Sequence, residues 1–314
     1  VDDLLHDGDA QILLAANTLK NLEVKVYNPT INIGRSLPSK LAKLAVDFRA
    51  VNQRMHNKSF IVDDEVVITG GRNVADEYFD LSMDYNFRDR DILLIQGVTK
   101  DIKRSFNTFW DHPLSLSITE LLEPADKQLT QNILRQLKHL ACDPHKFWPE
   151  IQQRIANVPQ RFLELREQGA LAWVKGVTFV SDEPGKNNGK SGLGGGGLST
   201  DALIELVDSA QEKILIQTPY LVTTDLGKRV FRRALKRGVK IKILTNSLST
   251  TDSFPAFASY RKDRDILVNS GIEVYESKPR NPAWTALMTG ELTRRLKTLN
   301  RLPEIGLHAK SMVI

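Results

Sequence analysis

The sequence predicts an α/β protein made of two related halves. Residues 199–246 alternate amphipathic helices with short apolar strands, which is the β-α-β pattern of a parallel or mixed sheet flanked by helices. A short block also occurs twice, as MHNKSFIV at 55–62 and as LHAKSMVI at 307–314. Each block follows a similar strand that ends in a turn proline, LEVKVYNP at 22–29 and IEVYESKP at 272–279. The recurrence of strand and block together indicates a duplicated unit.

The limits of the domains follow from this repeat. The first repeat is predicted at 1–115 and the second at 199–314, with a helical connection and a glycine-rich loop between them at 116–198. A strand, VKGVTFV at 174–180, is predicted just before that loop. The second repeat opens with a helix and a strand, whereas the first begins just after the corresponding strand and lacks this opening.

The composition is that of an ordinary folded protein, with 41% hydrophobic and 26% charged residues. A net charge of +5 and a pI near 9.1 suit a phosphate-bearing or anionic partner without requiring one. The single cysteine, Cys142, excludes an intrachain disulfide framework. No apolar run reaches the roughly 18–20 residues that span a bilayer.

Three other patterns carry little functional signal. GKNNGKS at 185–191 fails as a phosphate-binding loop, because three residues and not four separate its first glycine from the Gly-Lys pair. Cys142 and His145 have a spacing that could chelate a metal, but no second Cys or His lies nearby, so a turn at a helix end is favoured. The basic helix at 228–240 either contacts anionic lipid or nucleic acid or, more commonly, presents a solvated face while covering a sheet.

The stretch RMHNKSFIVDDEVVITGGRN carries the strongest functional signal. In an extended strand, residues two apart project from the same face, so His56 and Lys58 are predicted to point into one pocket. The pair Gly70 and Gly71 allows the backbone to approach a ligand closely, and the amide of Asn73 follows.

The His-x-Lys pattern recurs at His308 and Lys310, and these residue types suit the cleavage of a phosphodiester. Lys58 and Lys310 would neutralise the non-bridging oxygens, as metal ions do elsewhere, and Asn73 would add a neutral donor. One imidazole would attack phosphorus to form a phosphohistidine, and the other would protonate the leaving alcohol. Asp63 is expected to hydrogen-bond the far ring nitrogen of a histidine. Neither copy has a carboxylate cluster to hold a catalytic metal, so we expect no metal and no other cofactor.

The pattern His-x-Lys-x4-Asp-x6-Gly-Gly-x-Asn that begins at His56 resembles the signature of the phospholipase D superfamily, and the pair that begins at His308 resembles the start of a second copy. Longer stretches are similar to the bacterial cardiolipin synthase branch, especially its subgroup cardiolipin synthase C. These are RMHNKSFIVDDEVVITGGRNVADEYF, FRDRDILLIQGVTKDIKRSFNTFW, DEPGK, IQTPYLV, RGVKIKILTNSL and GIEVYESKP. The resemblance covers nearly the whole chain and is weakest at 116–172.

The resemblance implies two pseudo-symmetric phospholipase D-like α-β-α halves packed around one active-site cleft, with His56 and His308 on opposite sides of it. The second pattern stops at Ile314, one residue before its expected aspartate. Both halves are therefore expected to be incomplete, and the chain is expected to be a fragment of a longer protein that is inactive by itself.

The implied function is that of a phosphatidyltransferase that makes cardiolipin through a phosphohistidine, with His56 as nucleophile and His308 as general acid. The implied site residues are, as catalytic, His56, Lys58, Asp63, His308 and Lys310 and, as substrate-binding, Gly70, Gly71 and Asn73. Phosphatidylglycerol is the expected substrate, phosphatidylethanolamine is a candidate donor, and no nucleic acid is expected. The implied location is the surface of the bacterial inner membrane, reached peripherally or through a segment missing from this sequence.

Two alternatives stay open at this stage. One is a phospholipase D-type phosphodiesterase, either a lipid hydrolase or a nuclease, for which the basic charge would be suitable. The other is a degenerate, non-catalytic protein that binds a lipid surface.

Overall fold

A computed structural model of the chain describes residues 1–2, 10–29, 53–123, 126–141, 145, 149–186, 197–285 and 303–314. Within these ranges the protein has the mixed α/β structure that the sequence predicts. The chain divides into two compact units. Unit 1 comprises Val1–Asn57 and Asp101–Leu193, and unit 2 comprises Lys58–Lys100 and Gly194–Ile314. The two units are defined by spatial contacts, whereas the predicted repeats are defined by internal sequence similarity. The predicted limits of the repeats therefore stay predictions.

The helices and strands are numbered here in chain order. The helices are α1 (Ala10–Ala16), α2 (Thr99–Trp110), α3 (Ile118–Leu121), α4 (Lys127–Ala141), α5 (Pro149–Glu167), α6 (Leu198–Ser209), α7 (Asp225–Lys236), α8 (Phe254–Asn269) and α9 (Pro282–Thr285). The strands are β1 (Lys25–Tyr27), β2 (Ser59–Val62), β3 (Val66–Gly70), β4 (Tyr85–Arg88), β5 (Asp91–Ile95), β6 (Ser115–Ser117), β7 (Lys213–Gln217), β8 (Lys240–Asn246), β9 (Glu273–Ser277), β10 (Glu304–Leu307) and β11 (Ser311–Val313). None of the helices in the described ranges is long and apolar enough to cross a bilayer.

Unit 1 is mainly helical, and its sheet is a single antiparallel pair of strands, β1 with β6, in the described residues. Its small core contains Leu14, Val26 and Ile118. The predicted strand at 174–180 is absent, because these residues form no strand with any described part of the chain. Gly176, in its middle, has a φ of +75°, which is incompatible with the extended backbone of a strand.

Some patterns discussed above lie partly or wholly outside the described residues. Cys142 is one of these, and so is the middle of the glycine-rich segment, 187–196, which includes most of the GKNNGKS stretch.

Unit 2 contains the predicted β-α-β structure. Strands β7, β8 and β9 are parallel neighbours, and β11 adds to β7 in the antiparallel direction. The central strands contribute the buried isoleucines Ile214, Ile241 and Ile243. Val230 and Ala234 of α7, four residues apart on one helix face, pack into the same core. The sheet and its helices therefore form one continuous apolar cluster.

The basic helix α7 presents its cations away from this core. Arg233 forms an ion pair of 2.6 Å with Asp208 of α6, and Lys228 forms one of 2.8 Å with Asp263 of α8. These cations bridge to neighbouring helices, while Val230 and Ala234 face the sheet. The interpretation of α7 as a covering helix with a charged outer face is thus the one that the packing supports.

A second sheet of unit 2 consists of β2, β3 and β5, all antiparallel. Asp63 and Asp64 form the tight turn between β2 and β3 with φ values of +49° and +60°, as in the turns that match the twist of a hairpin. Strand β2 begins at Ser59, so the prediction that Lys58 lies within a strand is wrong. The Lys58 carbonyl oxygen accepts a hydrogen bond of 2.8 Å from the hydroxyl of Thr69. The backbone pairing of β2 with β3 begins one residue after Lys58, with Ser59 opposite Thr69.

Strands β4 and β10 form a separate parallel pair in unit 2, with Arg88 opposite Leu307. Gly306 is required there, because an added Cβ would overlap the hydroxyl of Tyr85. The buried amide of Asn246 completes the pair: it accepts from the Leu307 N–H and donates to the Leu307 carbonyl oxygen, both at 2.8 Å. A side chain thus takes the place of a neighbouring strand at the end of β10.

We expect Asn246→Ala to lower the free energy of unfolding by about 2–4 kcal/mol, because it leaves two buried backbone groups of Leu307 without partners. Urea denaturation of both proteins measures the difference. Asn269→Ala, an exposed asparagine at the end of α8, is the control and should change stability by less than about 0.5 kcal/mol. Equal losses in the two variants would show that the pairing with Leu307 contributes nothing of its own.

Candidate active site

His308 directly follows β10 and is 4% exposed. Its backbone N–H and that of Ala309 both donate to the carbonyl oxygen of Arg88, at 2.8 and 3.0 Å. The parallel register of β4 and β10 thereby continues for one residue beyond each strand. It brings Asp89, the residue after β4, beside His308.

Asp89 is the partner of the His308 ring. Its Oδ2 lies 2.6 Å from Nδ1, and its side chain is 1% exposed. Burial tends to raise the pKa of Asp89, but hydrogen bonds from His308 and from the Arg90 backbone N–H outweigh it and hold the pKa below the ordinary value. The carboxylate is therefore ionised at neutral pH and can only accept. Nδ1 of His308 consequently carries a proton that it donates to Asp89.

Lys310 places a cation against the same ring. Its Nζ lies 3.3 Å from both ring nitrogens of His308 and donates to the His308 carbonyl oxygen at 3.1 Å. The side chain as a whole is exposed, yet the protein around the ammonium excludes enough water to lower its pKa, an effect that the charges of Asp89 and Asp252 oppose. Equal distances to the two nitrogens keep the ammonium off the lone-pair axis of either one.

Tyr78 approaches the other ring nitrogen. Its hydroxyl oxygen lies 3.4 Å from Nε2 of His308 and accepts a hydrogen bond of 2.8 Å from the Asn73 amide. The ring stacks on Phe87 at 4.6 Å and meets the His308 ring edge-on at 5.1 Å. Burial raises the pKa of Tyr78, so its hydroxyl keeps its hydrogen at neutral pH.

Two glycines, Gly70 at the end of β3 and Gly71 directly after it, make room for the carboxylates beside the site. A Cβ on Gly71 would overlap the carboxylate of Asp89, and a Cβ on Gly70 would overlap that of Asp91. Arg72 connects Asp91 to Tyr78. Its Nε donates to Asp91 at 2.7 Å, and its Nη1 donates to the Tyr78 carbonyl oxygen at 2.5 Å. The Gly-Gly-Arg-Asn segment is in this way packed against the surroundings of His308.

A second tyrosine, Tyr220, lies beside the site, in the loop that follows β7. The ring of Tyr220 is 6.3 Å from that of His308, and its hydroxyl donates to Asp252 at 2.7 Å. Phe87 completes the aromatic surroundings at 5.0 Å. The His308 imidazole is thus enclosed by aromatic faces, with Asp89 and Lys310 as its charged neighbours.

The structure brings together several of the residues that the sequence predicts. Asn73, His308 and Lys310 share one cluster through Tyr78, and Gly70 and Gly71 back it.

The remaining predicted residues are His56, Lys58 and Asp63. Lys58 precedes β2 and Asp63 follows it, so the strand separates them. His56 belongs to unit 1, is exposed and precedes β2 without being part of it, which corrects the prediction of a strand there. The roles predicted for these three residues stay predictions.

Sequence reasoning missed Tyr78 and Asp89. The available signal for Asp89 was the run Arg-Asp-Arg-Asp between two apolar strands, because charges in such a place require partners. Tyr78 gave no signal in the sequence that would separate it from a core aromatic residue.

Comparison with known proteins gives a consistent family assignment. Residues 203–314 match the family described as cardiolipin synthase, PLD-like domain. Cardiolipin synthase C of Escherichia coli (strain K12) is 31% identical over 283 residues, 89% of this chain and 57% of that protein. An uncharacterized protein of Helicobacter pylori (strain J99) is 29% identical over 285 residues, 88% of this chain and 53% of that protein. The chain therefore spans a little over half the length of these curated relatives.

A solved structure, phosphatidylserine synthase from Haemophilus influenzae Rd KW20, is also similar. It has a TM-score of 0.44 and 14% identity, over 83% of this chain and 52% of that chain. At this score the likeness is too weak to support a conclusion.

We expect Gly71→Ala to destabilise the chain by about 1–3 kcal/mol, because the new methyl group would overlap the buried Asp89 carboxylate. Gly227→Ala is the matched control. Its Cβ meets only Thr224 Oγ1, at an ordinary contact of 3.6 Å, and alanine favours the helix there. Urea denaturation compares the three proteins. If Gly71→Ala were as stable as Gly227→Ala, the glycine would not be needed for the approach of Asp89.

Asp89 also makes stability depend on pH. Its pKa is lowered from 3.8 by folding, so its contribution is complete above that value and is lost as the pH falls through the lowered pKa. We expect the difference in unfolding free energy between the wild type and Asp89→Asn to be larger at about pH 6 than at about pH 3. Urea denaturation at the two pH values measures it, with the exposed Asp101→Asn as control. A difference that stays constant with pH would contradict the assignment.

Proposed function

We propose, because the chain belongs to the cardiolipin synthase branch of the phospholipase D superfamily, that it transfers a phosphatidyl group from one membrane phospholipid to another and so makes cardiolipin. Membership of the branch rests on the Escherichia coli relative, on the family match over residues 203–314 and on the motif that begins at His56.

The observation that best supports this chemistry is the environment of His308. A buried imidazole whose Nδ1 is bonded to an ionised carboxylate at 2.6 Å, with an ammonium 3.3 Å from Nε2, is arranged to carry a proton beside an anion. Asp89 stabilises the imidazolium that this role requires. Lys310 supplies positive charge for the non-bridging oxygens of a phosphodiester.

In the first proposed step, a ring nitrogen of His56 attacks the phosphorus of the donor lipid. A P–N bond forms as the bond between phosphorus and the leaving oxygen breaks. His308, in its protonated form, gives its Nε2 proton to that oxygen and becomes neutral, so the leaving group departs as an alcohol. Lys58, Lys310 and Asn73 donate to the non-bridging oxygens, and Asp63 is assigned to His56 as its far-nitrogen partner.

In the second step, a glycerol hydroxyl of phosphatidylglycerol attacks the phosphohistidine. The new P–O bond replaces the P–N bond, and the proton of the hydroxyl passes to Nε2 of His308, which restores the starting state. Gly70 and Gly71 act in this proposal through the packing that holds Asp89 and Asn73 in place. The step differs from hydrolysis only in the alcohol that takes the place of water.

The substrates and the place of action are part of the proposal. Phosphatidylglycerol is proposed as acceptor and phosphatidylethanolamine as a second donor, at the surface of a bacterial inner membrane. The name of the Escherichia coli relative supports the product, and the net charge of +5 suits an anionic lipid surface.

The test uses the protein in the full length that its gene encodes, with vesicles of phosphatidylglycerol, with and without phosphatidylethanolamine. We expect cardiolipin to form and its rate to fall by roughly 100-fold or more in His56→Ala and in His308→Ala, because each removes an acid, a base or a nucleophile. His139→Ala, which removes an exposed histidine of α4, is the control and should keep the wild-type rate.

Other outcomes would overturn parts of the proposal. Phosphatidic acid without cardiolipin would indicate a hydrolase, DNA cleavage without a lipid product would indicate a nuclease, and lipid binding without turnover would indicate a non-catalytic protein. Trapping the intermediate by acid quench should place the phosphate on His56, and a phosphate on His308 would reverse the two roles.

A further inference from the structure

We propose that Tyr78 is a positioning residue for His308: its hydroxyl, oriented by Asn73, donates to Nε2 and holds the neutral ring with its proton on Nδ1. The inference rests on the proposed role of His308 as proton carrier and extends it to the interval between the two steps. In that interval His308 is neutral, and the acceptor alcohol requires a free base at Nε2. A second residue that keeps the proton on Nδ1 keeps that base available.

The direction of each hydrogen bond follows from the chemistry of the partners. Asp89, being ionised and buried, accepts from Nδ1, so Nε2 of the neutral ring is an acceptor. The Asn73 amide nitrogen can only donate, so it occupies a lone pair of the Tyr78 oxygen at 2.8 Å. The hydroxyl hydrogen is then directed to Nε2, at an oxygen–nitrogen distance of 3.4 Å.

Among the described residues, the Tyr78 hydroxyl has only these two hydrogen-bond partners. If His308 were charged, Nε2 would donate to the Tyr78 oxygen and the hydroxyl hydrogen would lose its acceptor. Only the neutral ring can therefore receive the Tyr78 bond, whereas Asp89 can accept from Nδ1 in either state of the ring. Together the two contacts leave Nε2 as the position at which His308 gives and takes a proton.

Tyr78 is fixed well enough to act in this way. Its ring is 5% exposed, stacks on Phe87 and lies edge-on to His308, and its carbonyl oxygen is bonded to Arg72. The bond to Nε2 is long for an O–H donor, so it is weak and can be replaced by a substrate oxygen at small cost.

Two other polar groups near the ring have different geometry. Lys310 Nζ also lies 3.3 Å from Nε2, but it is equally far from Nδ1 and donates to the His308 carbonyl oxygen at 3.1 Å. The Tyr220 hydroxyl donates to Asp252. Three charged groups near His308 in the described part of the chain are Asp89, Lys310 and, behind Tyr220, Asp252, and all three remain in a Tyr78 variant.

The test is nitrogen NMR of histidine-labelled protein in the full length that the gene encodes, without substrate, near neutral pH. The His308 signals are assigned by their absence from His308→Gln. In the wild type we expect a protonated Nδ1 and an acceptor Nε2. In Tyr78→Phe, which keeps the ring but removes the hydroxyl, the Nε2 signal should move to higher frequency, as an acceptor nitrogen does when it loses a donor.

Tyr260→Phe is the matched control. It removes the hydroxyl of another buried tyrosine, which lies in α8 and donates to Glu276 of β9 at 2.8 Å. This variant should leave the His308 signals unchanged. Asn73→Asp is a second probe, because a carboxylate would accept the Tyr78 hydrogen and turn it away from Nε2. We expect Asn73→Asp to change the Nε2 signal as Tyr78→Phe does, and the double variant to add little further.

Activity gives an independent readout. We expect Tyr78→Phe to lower kcat about threefold to tenfold, the effect of one hydrogen bond, with little change in KM. Tyr260→Phe should keep the wild-type kcat and KM.

The two proposals fail in different ways. If the wild type makes no cardiolipin, the proposed reaction is wrong, but the NMR result still decides whether Tyr78 donates to Nε2. If Tyr78→Phe and Tyr260→Phe leave the Nε2 signal equally unchanged, or if the wild-type neutral ring carries its proton on Nε2, the role of Tyr78 is overturned whatever the activity.

Discussion

The parallel pairing of β4 with β10 determines the geometry of the candidate site. Each strand ends one residue before a functional side chain, so a register with Arg88 opposite Leu307 places Asp89 beside His308. A shift by one residue would turn the side chains to the opposite faces and separate the carboxylate from the imidazole. The buried amide of Asn246 bonds both backbone groups of Leu307 and stabilises this register. Gly306 permits it, because the missing side chain leaves room for the Tyr85 hydroxyl.

The Asp89 carboxylate can be buried because two hydrogen bonds and a nearby cation compensate for the loss of its water. Asp89 accepts from Nδ1 of His308 and from the Arg90 N–H, and its charge faces the Lys310 ammonium. An isolated buried carboxylate would instead become protonated and lose its ability to orient the imidazole. The absence of a side chain at Gly71 is what permits the close approach. Gly71 is therefore needed for the packing of the Asp89 carboxylate and not only for the backbone turn.

Much of unit 2 could be predicted from the sequence, because its signals are local. The apolar positions of α7 four residues apart, the basic residues between them and the glycine at its end all point to a helix against a sheet. Asn73, His308 and Lys310 were predicted as site residues from short spacings. Asp89 and Tyr78 were not predicted, because they lie 219 and 230 residues from His308 in the sequence. A periodic pattern indicates local structure and does not show contacts over such separations. The prediction of a strand at Lys58 was wrong for a similar reason. The alternation of residue types does not show that the Lys58 carbonyl oxygen bonds the Thr69 hydroxyl and not a backbone N–H.

Charge balance connects this geometry to the proposed chemistry. Around a neutral His308, the Asp89 carboxylate and the Lys310 ammonium carry one charge of each sign, and Asp252 lies behind Tyr220. The raised pKa values keep Tyr78 and Tyr220 uncharged. A phosphodiester that enters such surroundings adds one negative charge, and protonation of His308 adds one positive charge. The entering anion and the imidazolium that the first proposed step consumes therefore attract each other. Once the leaving alcohol has taken the proton, Tyr78 can donate to the neutral ring, and Nε2 is a base for the next hydroxyl.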